Sequence, residues 1–587
     1  MKSWKRWMAL ALTVIMLSAT AACGQKKTQQ GQTEQEKTEQ GSMENSGSTK
    51  DLSWLDSSGA LPIVAEGMEK TLKVYLRMAD GVVSNPEEFW MFDFIEDVMN
   101  IKLEITPLSG ENRDEKISLA FASDELPDLI LCAGLSASEL VKYGAVEGQI
   151  LDLAPYLNET YMPNLTAIYE KKPELKSIVE DSEGHVWSTG FVRDPDEIAV
   201  IPQVFFNYDW LEECNMEVPE TLDEYYNMLT AFKQLDAKSY PVGGAWNGHN
   251  PGFYILNAFG YVGGDEKGLS IALRNGKVVL PAADREAYGA YLTFMKKLYE
   301  EELIHPDFFT MDINTAEATF KEGRFGTWDS MVSLYTNDVS PWWGAIPLTS
   351  EYNNTAQWPV RANASSCGQG VVTSACEEPE LACAFLDWFY TYHNYFVAAN
   401  GAIKDVDPDE WLCGAGGRSL DETGNWVHND VVNGVDGWAD GGTYLVNKIR
   451  LIPAANLGSY IEDGDERETE LYPYVKDYEG VTDISALRSD ETLLKNTWWY
   501  CIMCLDRTLS PYRTTEVFPG AVYLDGDTTE RLAGMKTAID EYASQETAKF
   551  ITGARPLEDL DSYFDEIERL GAAEYVQVYQ EYYDAIQ

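Results

Sequence analysis

The segments that decide the fold are LKVYL (Leu72–Leu76), PEEFWMFDFIEDVMN (Pro86–Asn100) and IKLEITPL (Ile101–Leu108). The first is a short apolar run of the kind that forms a buried strand, and the second repeats apolar residues at helical spacing. The third alternates apolar and polar residues, as a half-buried strand does. A strand, a helix and a second strand in this order predict a βαβ unit and a parallel sheet.

The same alternation continues along the chain. EKISLAFAS (Glu115–Ser123) is typical of a helix, and LPDLILCAG (Leu126–Gly134) predicts a second buried strand. SASELVKYG (Ser136–Gly144) predicts a further helix that ends at its glycine. Strands that alternate with helices predict an α/β fold with a largely parallel sheet.

One edge of this sheet is the predicted binding site. Ligands of parallel α/β sheets bind at the carboxyl ends of the strands. The loops after Leu76, Leu131 and Trp187 follow three predicted strands. We therefore expect these loops to surround a common site.

The chain has 587 residues, with 96 Asp and Glu against 44 Lys and Arg, so its formal net charge is −52. The hydrophobic share of 45% and the aromatic share of 12% are enough for a large core and exclude wholesale disorder. Phosphate backbones would repel so acidic a protein, which argues against a nucleic-acid partner. The high net charge also favours a soluble monomer.

The N-terminal residues have the features of an export signal. Basic residues between positions 2 and 6 precede an apolar run from Trp7 to Leu17, and small residues then lead to Cys23. This order resembles the signal of bacterial lipoproteins, although Thr20 stands where that pattern usually has Leu. The resemblance implies cleavage after residue 22 and a lipid on Cys23, which would anchor the protein on the extracellular face of a Gram-positive-type cell membrane. The alternative is an ordinary secretory signal followed by a chance cysteine.

A polar stretch follows Cys23. GQKKTQQGQTEQEKTEQGSMENSGSTK (Gly24–Lys50) has no aromatic residue, and Met43 is its only large apolar one. Such a composition cannot repay the entropy lost on ordering, so residues 23–68 are predicted to be a lipidated cysteine and a disordered tether. No later stretch of 18 apolar residues occurs, so the lipid would be the only membrane anchor.

Four later segments occur in a characteristic order. They are DELPD (Asp124–Asp128), GQILDLAPYLN (Gly148–Asn158), EGHVWSTG (Glu183–Gly190) and FFNYDWLEECNMEVPETLDEYYNMLTAFKQLD (Phe205–Asp236). They resemble landmarks of the bacterial extracellular solute-binding proteins, family 1, that serve carbohydrate ABC importers. The last segment also contains a predicted capping box, because Thr221 is followed three residues later by Glu224.

Two further segments extend the resemblance to about residue 400, namely ATFKEGRFGTWDSM (Ala318–Met331) and GVVTSACEEPELACAFLDWFY (Gly370–Tyr390). The long, aromatic-rich C-terminal region resembles the larger oligosaccharide-binding members. The resemblance implies a two-lobed α/β fold of the type II periplasmic-binding-protein class. Each lobe would be a mainly parallel sheet flanked by helices, with a cleft between the lobes.

The resemblance also implies a division of the chain into parts. The predicted parts are the lipoprotein signal peptide 1–22, the tether 23–68, the first part of lobe 1 at 69–200, the first part of lobe 2 at 201–342, a lobe 1 return segment at 343–400, and 401–587, mainly lobe 2 and a C-terminal helical region. The tail YVQVYQEYYDAIQ (Tyr575–Gln587) reads as an amphipathic helix that packs on a lobe. It suggests no separate function.

Sugars bind by stacking their apolar C–H faces on aromatic rings while polar side chains bond the hydroxyls. Loops that combine Trp with polar groups and Gly are therefore the candidate ligand contacts. The selected residues are Trp90, Trp187, Trp246, Asn247, His249, Trp328, Asp329 and Trp343. The alternative for each Trp is a place in the core, which is the commoner role of this residue type.

No metal and no cofactor are predicted. Some larger members of the family carry a calcium loop just after the Phe205–Asp236 segment. The corresponding stretch here is FKQLDAKSYPVGG (Phe232–Gly244), in which Asp236 is the only carboxylate. A calcium loop needs several oxygen ligands, so this stretch does not fit one.

The predicted function is the capture of a carbohydrate, an oligosaccharide, between two lobes and its delivery to the permease subunits of an ABC transporter. The acidic composition favours a neutral sugar, unless Arg193, Arg324 or Arg361 provides local positive charge. A secreted glycoside hydrolase and a surface glycan-adhesion lipoprotein remain alternatives. A hydrolase would need two carboxylates at a defined separation. No segment resembles a hydrolase motif, so the protein is predicted not to be an enzyme.

Overall fold

The computed structural model describes residues 50–78, 89–193, 202–359, 366–402, 407, 457–460, 478, 480–495 and 497–586, together with short strands between 418 and 436. The predicted signal peptide, Cys23 and most of the tether lie outside the described residues. The strands are β1 (Lys70–Arg77), β2 (Ile101–Leu108), β3 (Leu129–Leu131), β4 (Thr189–Arg193), β5 (Phe205–Asn207), β6 (Ala272–Arg274), β7 (Lys277–Val279), β8 (Thr327–Trp328), β9 (Trp342–Gly344), β10 (Trp358–Pro359), β11 (Ser366–Val372), β12 (Arg418–Leu420), β13 (Trp426–His428), β14 (Val431–Val432), β15 (Val435–Asp436), β16 (Gly458–Tyr460) and β17 (Arg513–Thr514).

The helices alternate with these strands in the first half of the chain and dominate its C-terminal end. They are α1 (Trp90–Met99), α2 (Arg113–Ser123), α3 (Ala137–Leu140), α4 (Pro163–Lys171), α5 (Pro173–Lys176), α6 (Tyr208–Glu213), α7 (Leu222–Leu235), α8 (Gly252–Ala258), α9 (Ala287–Glu300), α10 (Ile313–Lys321), α11 (Pro379–Trp388), α12 (Tyr392–Asn400), α13 (Ile484–Arg488), α14 (Glu491–Leu494), α15 (Thr497–Leu509), α16 (Gly526–Ile551), α17 (Leu560–Arg569) and α18 (Ala572–Ile586). In the part of the chain that the structure describes, none of them has the length and apolar character needed to cross a bilayer.

The first lobe is built on a six-stranded sheet with the strand order β16-β4-β11-β3-β1-β2. β1 pairs in parallel with both β2 and β3, and β16 pairs in parallel with β4. β11 is antiparallel to its neighbours β3 and β4. The predicted βαβ unit and the second buried strand are therefore confirmed.

Helix α1 shows how the local sequence produces this lobe. Its apolar residues, such as Phe94 and Ile95, recur at helical spacing and are buried in the first hydrophobic core. The helix ends at Asn100, which has the left-handed φ of 58° that Asn tolerates better than most residues. The Asn100 Nδ2 donates to the carbonyl oxygen of Val64 at 2.8 Å. The chain can then turn directly into β2.

The second lobe contains a three-stranded sheet with the order β8-β5-β9, in which β5 is antiparallel to both neighbours. Single parallel bridges between Tyr240 and Phe325 and between Val242 and Ile304 occur in the same lobe. The described strand pairing is therefore mixed, and not mainly parallel as predicted. The chain comes to β5 from the first lobe. β5 therefore begins at the edge where β8 and β9 end, and it is antiparallel to both of them. β11 follows the passage of the chain from the second lobe back to the first. For the same reason, it is antiparallel to its neighbours β3 and β4 in the first sheet.

Helix α7 carries the predicted capping box of the second lobe. The Glu224 backbone N–H donates to Thr221 Oγ1 at 3.2 Å, and the Thr221 backbone N–H donates to the Glu224 carboxylate at 3.2 Å. The apolar face of α7 is buried in the second hydrophobic core. Trp210 of α6 packs edge-on against Phe232 of α7, with ring centroids 5.4 Å apart.

Residues 53–587 form one compact unit that contains both lobes. Among the described elements, the chain passes from one lobe to the other after β4, after β10 and after β16, because β5, β11 and the helices from α13 onward then join the other lobe. Strand β9 pairs with β5, and Trp343 and Trp358 belong to the second core. The change of lobe that the sequence predicted at residue 343 therefore falls inside β9, and the described return to the first sheet begins at Ser366.

A buried carboxylate gives the first lobe a pH-dependent stability. Asp387 of α11 is buried and accepts the backbone N–H groups of Asn164 at 3.0 Å and Leu165 at 2.8 Å. Burial raises the pKa of Asp387 to about 7 in spite of these bonds. In an unfolded chain the pKa of Asp is about 3.9. Between these values the folded state keeps a proton that the unfolded state has released, so stability falls as the pH rises through this window.

We expect Asp387→Asn to flatten this fall, because the amide does not titrate. The measurement is the thermal unfolding midpoint of both proteins by circular dichroism, at a series of pH values from about 4 to about 8. Asp114→Asn is the control, since the side chain of Asp114 is 87% exposed, and its curve should follow that of the wild type. Parallel curves for the wild type and Asp387→Asn would contradict the assignment.

Candidate ligand-binding cleft

A cavity of about 750 Å³ lies where the two lobes face each other. Its volume is within the range of cavities that hold small ligands. The first lobe contributes Ser136, Ala137, Ser138, Phe191, Ser366 and Gln369. The second lobe and the crossing segments contribute Pro202, Phe253, Gly263, Gly264, Asp265, Glu266, Ser270, Ile271 and Pro359. The C-terminal region contributes Val517, Phe518, Pro519, Gly520, Val522, Lys536, Tyr575 and Tyr579.

The first-lobe wall carries hydrogen-bonding side chains. Ser136 and Ser138 lie at the start of α3, with their Oγ atoms 3.0 Å apart, and Ser136 forms a capping box with Glu139. Gln369 lies in β11, where the ladder with β4 shifts register between Ser366 and Gly370. A register shift of this kind changes the direction in which side chains project, and here Gln369, which carries a side-chain amide, lies at the cavity wall.

The second-lobe wall includes the loop after α8. Gly263 and Gly264 have φ values of +81° and +80°, a region that glycine adopts without strain. Asp265 Oδ1 accepts the backbone N–H groups of Lys267 and Leu269, both at 2.9 Å. Asp265 therefore holds the loop in place, which gives this wall fixed polar groups.

The C-terminal region supplies an aromatic wall. Tyr575 and Tyr579 lie four residues apart on one face of α18, with ring centroids 4.8 Å apart. Phe518 meets the ring of Tyr579 edge-on at 5.8 Å. Burial raises the pKa of the Tyr575 phenol above its usual value. Half-buried rings such as that of Tyr579 offer an apolar face to a ligand.

Tyr523 connects the C-terminal region to the first lobe. Its hydroxyl donates to the carbonyl oxygen of Ile178 at 3.0 Å, and its ring packs against the core of the first lobe. Phe518, five residues earlier, packs instead against Tyr579 of α18. Pro519, Gly520 and Val522, which line the cavity, therefore lie between a residue that packs on α18 and a residue that packs on the first lobe.

The charges of the cavity wall are mainly negative. Among the lining residues that the structure describes, Asp265 and Glu266 are acidic and Lys536 is the only basic one. Lys536 forms an ion pair with Asp540. Arg324 donates to the carbonyl oxygen of Lys238 at 3.1 and 2.6 Å, and it does not line the cavity. Arg361 and the side chain of Arg193 lie outside the described residues.

The five tryptophans selected from the sequence do not line this cavity. Four are buried in hydrophobic cores: Trp187, Trp246, Trp328 and Trp343. Trp328 is 0% exposed and packs against Phe320 and Phe325 at 4.5 and 5.7 Å. Trp90 is half-buried and contacts Phe94 at 5.1 Å. These positions agree with the core alternative, and a ligand contact at any of the five stays a prediction.

The three selected polar residues also lie outside the lining of the cavity. The His249 ring contacts Trp328 at 4.6 Å, so the structure brings these two residues together. Asn247 Oδ1 accepts Lys267 Nζ at 2.9 Å. Asp329 follows β8 at the edge where β5 begins, and its Oδ1 has no hydrogen-bond partner among the described residues. Burial raises the pKa of Asp329 well above its usual range.

None of the residues that line the cavity was among those selected from the sequence. Tyr575 and Tyr579 recur at a spacing of four, which places them on one helix face. This spacing predicts that one face of the helix is covered, but it does not identify the protein segment or ligand that covers it. Gln369 and Phe518 have no local signal of their own, because only the meeting of distant segments brings them to the cavity.

In the described part of the chain, no group of three or more His, Cys, Asp or Glu side chains is placed to hold a metal ion. Asp236, the only carboxylate of the stretch Phe232–Gly244, accepts the backbone N–H of Lys238 at 2.9 Å. It thereby stabilises a turn. The absence of a metal from the whole protein stays a prediction.

The cleft between two α/β lobes agrees with the resemblance noted in the sequence. Residues 93–393 match the family model described as bacterial extracellular solute-binding protein, and this match spans just over half of the chain. The chain belongs to this family. The prediction that the protein is a solute-binding protein and not an enzyme is thereby confirmed.

Individual solute-binding proteins are similar over a longer part of the chain. The fructooligosaccharide ABC transporter substrate-binding protein FusA of Streptococcus pneumoniae serotype 4 is 24% identical over 537 residues, which cover 88% of this chain and 91% of FusA. Lipoprotein LipO of Bacillus subtilis is 25% identical over 324 residues, 52% of each chain. The structure of S. pneumoniae FusA in complex with kestose matches with a TM-score of 0.68 and 21% identity, over 88% of this chain and 99% of that one. The two-lobed type II fold is therefore confirmed.

Proposed function

We propose that this solute-binding protein captures an oligosaccharide in the cavity between its lobes and delivers it to the permease subunits of an ABC importer. The observation that carries the proposal is the cavity, which combines hydrogen-bonding side chains on one wall with aromatic rings on another. Oligosaccharides present both hydroxyls and apolar C–H faces, so the two walls suit them. The similarity to FusA, described as a fructooligosaccharide-binding protein, supports the same class of cargo.

Capture would work through a shift between open and closed lobes. Cargo that touches both lobes binds more strongly when they are closed, so binding stabilises the closed form. A permease can then distinguish the loaded from the empty protein by the relative position of the lobes. This cycle needs no covalent step and no cofactor.

The charge of the cavity supports a neutral cargo. Asp265 and Glu266 would repel a uronic acid, and Lys536 is already paired with Asp540. A polyanion would gain no compensating positive charge from the described lining residues. Neutral oligosaccharides avoid this repulsion.

The location proposed for the protein is the extracellular face of the membrane, as a monomer held by a lipid on Cys23. The signal-like sequence before Cys23 and the similarity to lipoprotein LipO support this location. The 27 residues of the polar stretch 24–50 would then act as a tether. A flexible chain of this length has a root-mean-square span of about 30 Å, enough to let the lobes reach a permease.

The test is a thermal-shift screen of the purified protein with kestose, nystose, a mannose-rich N-glycan oligosaccharide, alginate oligosaccharides and oligogalacturonides. A ligand at about 100 times its Kd stabilises the folded state by about 2.7 kcal/mol, so a neutral oligosaccharide should raise the unfolding midpoint. The two uronic acid series should leave it unchanged. Each sugar that causes a shift is then recovered and analysed by chromatography.

Intact sugar after a shift supports a transport receptor. Cleaved sugar would support the alternative, an exported glycoside hydrolase with two catalytic carboxylates. A shift with uronic acid oligosaccharides alone would contradict the neutral cargo. No shift with any of the sugars would contradict the proposed function.

A further inference from the structure

The hydroxyl of Ser270 on the second-lobe wall has its proton committed to a carboxylate. Ser270 lines the cavity and is half-buried. Its Oγ donates to Asp265 Oδ2, and a hydroxyl has only one proton to give. Asp265 Oδ1 in turn accepts the backbone N–H groups of Lys267 and Leu269, so the carboxylate itself is held in place. The Oγ of Ser270 therefore offers only lone pairs to any other partner.

The first-lobe wall contains a longer hydrogen-bond relay of the same kind. Glu139 Oε2 accepts the backbone N–H of Ser136 at 2.8 Å and the hydroxyl of Ser136 at 2.9 Å. Because a carboxylate only accepts, the proton of Ser136 points towards Glu139. The Oγ atoms of Ser136 and Ser138 are 3.0 Å apart, so the donor between them must be Ser138. Ser138 is exposed on the cavity wall, where its Oγ is left with lone pairs alone.

Arg113 fixes the far end of this relay. Its Nη1 and Nη2 donate to the two carboxylate oxygens of Glu139 at 2.8 and 3.2 Å, and this bidentate geometry sets the orientation of the carboxylate. Arg113 Nε donates to the carbonyl oxygen of Ala133 at 3.0 Å. The backbone N–H of Leu135 donates to the carbonyl oxygen of Gly368 at 3.1 Å. The segment that carries both serines is therefore in position before any cargo arrives.

We propose that Ser138 and Ser270 are specificity-determining residues whose Oγ atoms accept hydrogen bonds from hydroxyls of the cargo, one from each lobe. This inference rests on the proposed function, because it assumes that cargo occupies the cavity. An oxygen whose own proton is committed can be satisfied only by a group that carries a proton. A sugar hydroxyl meets that requirement, whereas a carboxylate or an ether oxygen offers lone pairs alone. The two serines thus select hydroxyl-rich, uncharged sugars, and cargo that reaches both of them connects the lobes.

The test uses Ser138→Ala, Ser270→Ala and the double variant, with Ser485→Ala as the matched control. Ser485 is also an exposed serine near the beginning of a short helix, α13, and it does not line the cavity. The Kd is measured by isothermal titration calorimetry with kestose, or with the neutral sugar of the screen that gives the largest shift if kestose gives none.

We expect each cavity substitution to raise the Kd about tenfold, the effect of one lost hydrogen bond in a binding site. The double variant should raise the Kd about 100-fold, because the two serines contact different hydroxyls and their effects add. Ser485→Ala should leave the Kd within about twofold of the wild type.

Monodeoxy analogues of the same sugar separate a direct contact from a structural effect. Removal of the hydroxyl that donates to Ser270 should weaken binding to the wild type about tenfold and leave binding to Ser270→Ala unchanged. A different analogue should show the same pattern with Ser138→Ala. A variant that is merely less well folded would keep the wild-type ratio of Kd values between the sugar and its analogues.

Wild-type sensitivity to every analogue in both serine variants would overturn the inference and leave the proposed function intact. If only one of the two variants loses its sensitivity to an analogue, the contact on the other wall is overturned. A wild-type protein that binds no sugar would overturn both the inference and the proposed function.

Discussion

Replacing Gly368 by alanine should lower the free energy of unfolding by about 2–4 kcal/mol. Gly368 has a φ of +70°, which an L side chain rarely adopts. A Cβ at this position would also overlap the backbone nitrogen and oxygen of Leu135. Those atoms belong to the chain between β3 and α3, so they cannot move without moving the first-lobe wall of the cavity. Conformational strain and steric overlap therefore act together.

Thermal unfolding of the purified variants by circular dichroism measures this effect. Gly534→Ala in α16 is the matched control, because a Cβ on Gly534 would meet no atom within 4 Å. Gly534 lies inside a long helix, where alanine should stabilise by about 0.5–1 kcal/mol. The two Gly→Ala substitutions should therefore change stability in opposite directions. Equal unfolding midpoints would show that the steric argument for Gly368 is wrong.

Replacing Tyr579 by alanine should weaken cargo binding by about 10- to 100-fold. The ring of Tyr579 lies on the cavity wall between Tyr575 and Phe518, so its loss removes the centre of the aromatic surface. Aromatic side chains at the centre of a binding surface commonly contribute about 2 kcal/mol or more, and each 1.4 kcal/mol is a factor of ten in Kd. Calorimetric titration with the sugar identified by the thermal-shift screen gives the Kd.

Tyr582 on the same helix provides the control. It packs beside the cluster that contains Phe518 and does not line the cavity. Tyr582→Ala should therefore lower stability but leave the Kd within about twofold. Tyr579→Phe keeps the ring and should retain most of the affinity, since stacking needs the ring and not its hydroxyl. If Tyr579→Ala and Tyr582→Ala weaken binding equally, the aromatic wall does not contact the cargo.

Much of the first lobe could be predicted from local patterns. Strands β1 to β3 and helices α1 to α3 arise where the sequence shows periods of two or 3.6 residues, and such periods are properties of short segments. The capping box at Thr221 and Glu224 could also be predicted, because it involves residues only three positions apart. The direction of β5 could not be predicted in this way. It depends on the lobe from which the strand arrives.

The candidate site shows the limit of the same reasoning. Trp246 and Trp328 stand in sequences rich in Gly and polar residues, which is the pattern of a ligand loop, but the structure buries both. A tryptophan has the same local sequence whether its ring meets a ligand or another ring, so burial is decided by distant partners such as Phe308 and Phe320. The residues of the cavity wall could not be predicted either, because the local sequences around Gln369 and Tyr579 are those of an ordinary strand and an ordinary helix.

The sequence by itself determined the acidic charge, the order of strands and helices, the capping signals and the membership of the solute-binding family. These properties depend on composition or on residues close together in the chain, so they can be inferred without the tertiary structure. Only the tertiary structure decided which side chains share the cavity. Its walls combine Ser136, Gln369, Phe518 and Tyr579, which are far apart in the chain and meet because the chain passes between the two lobes and brings their cores face to face.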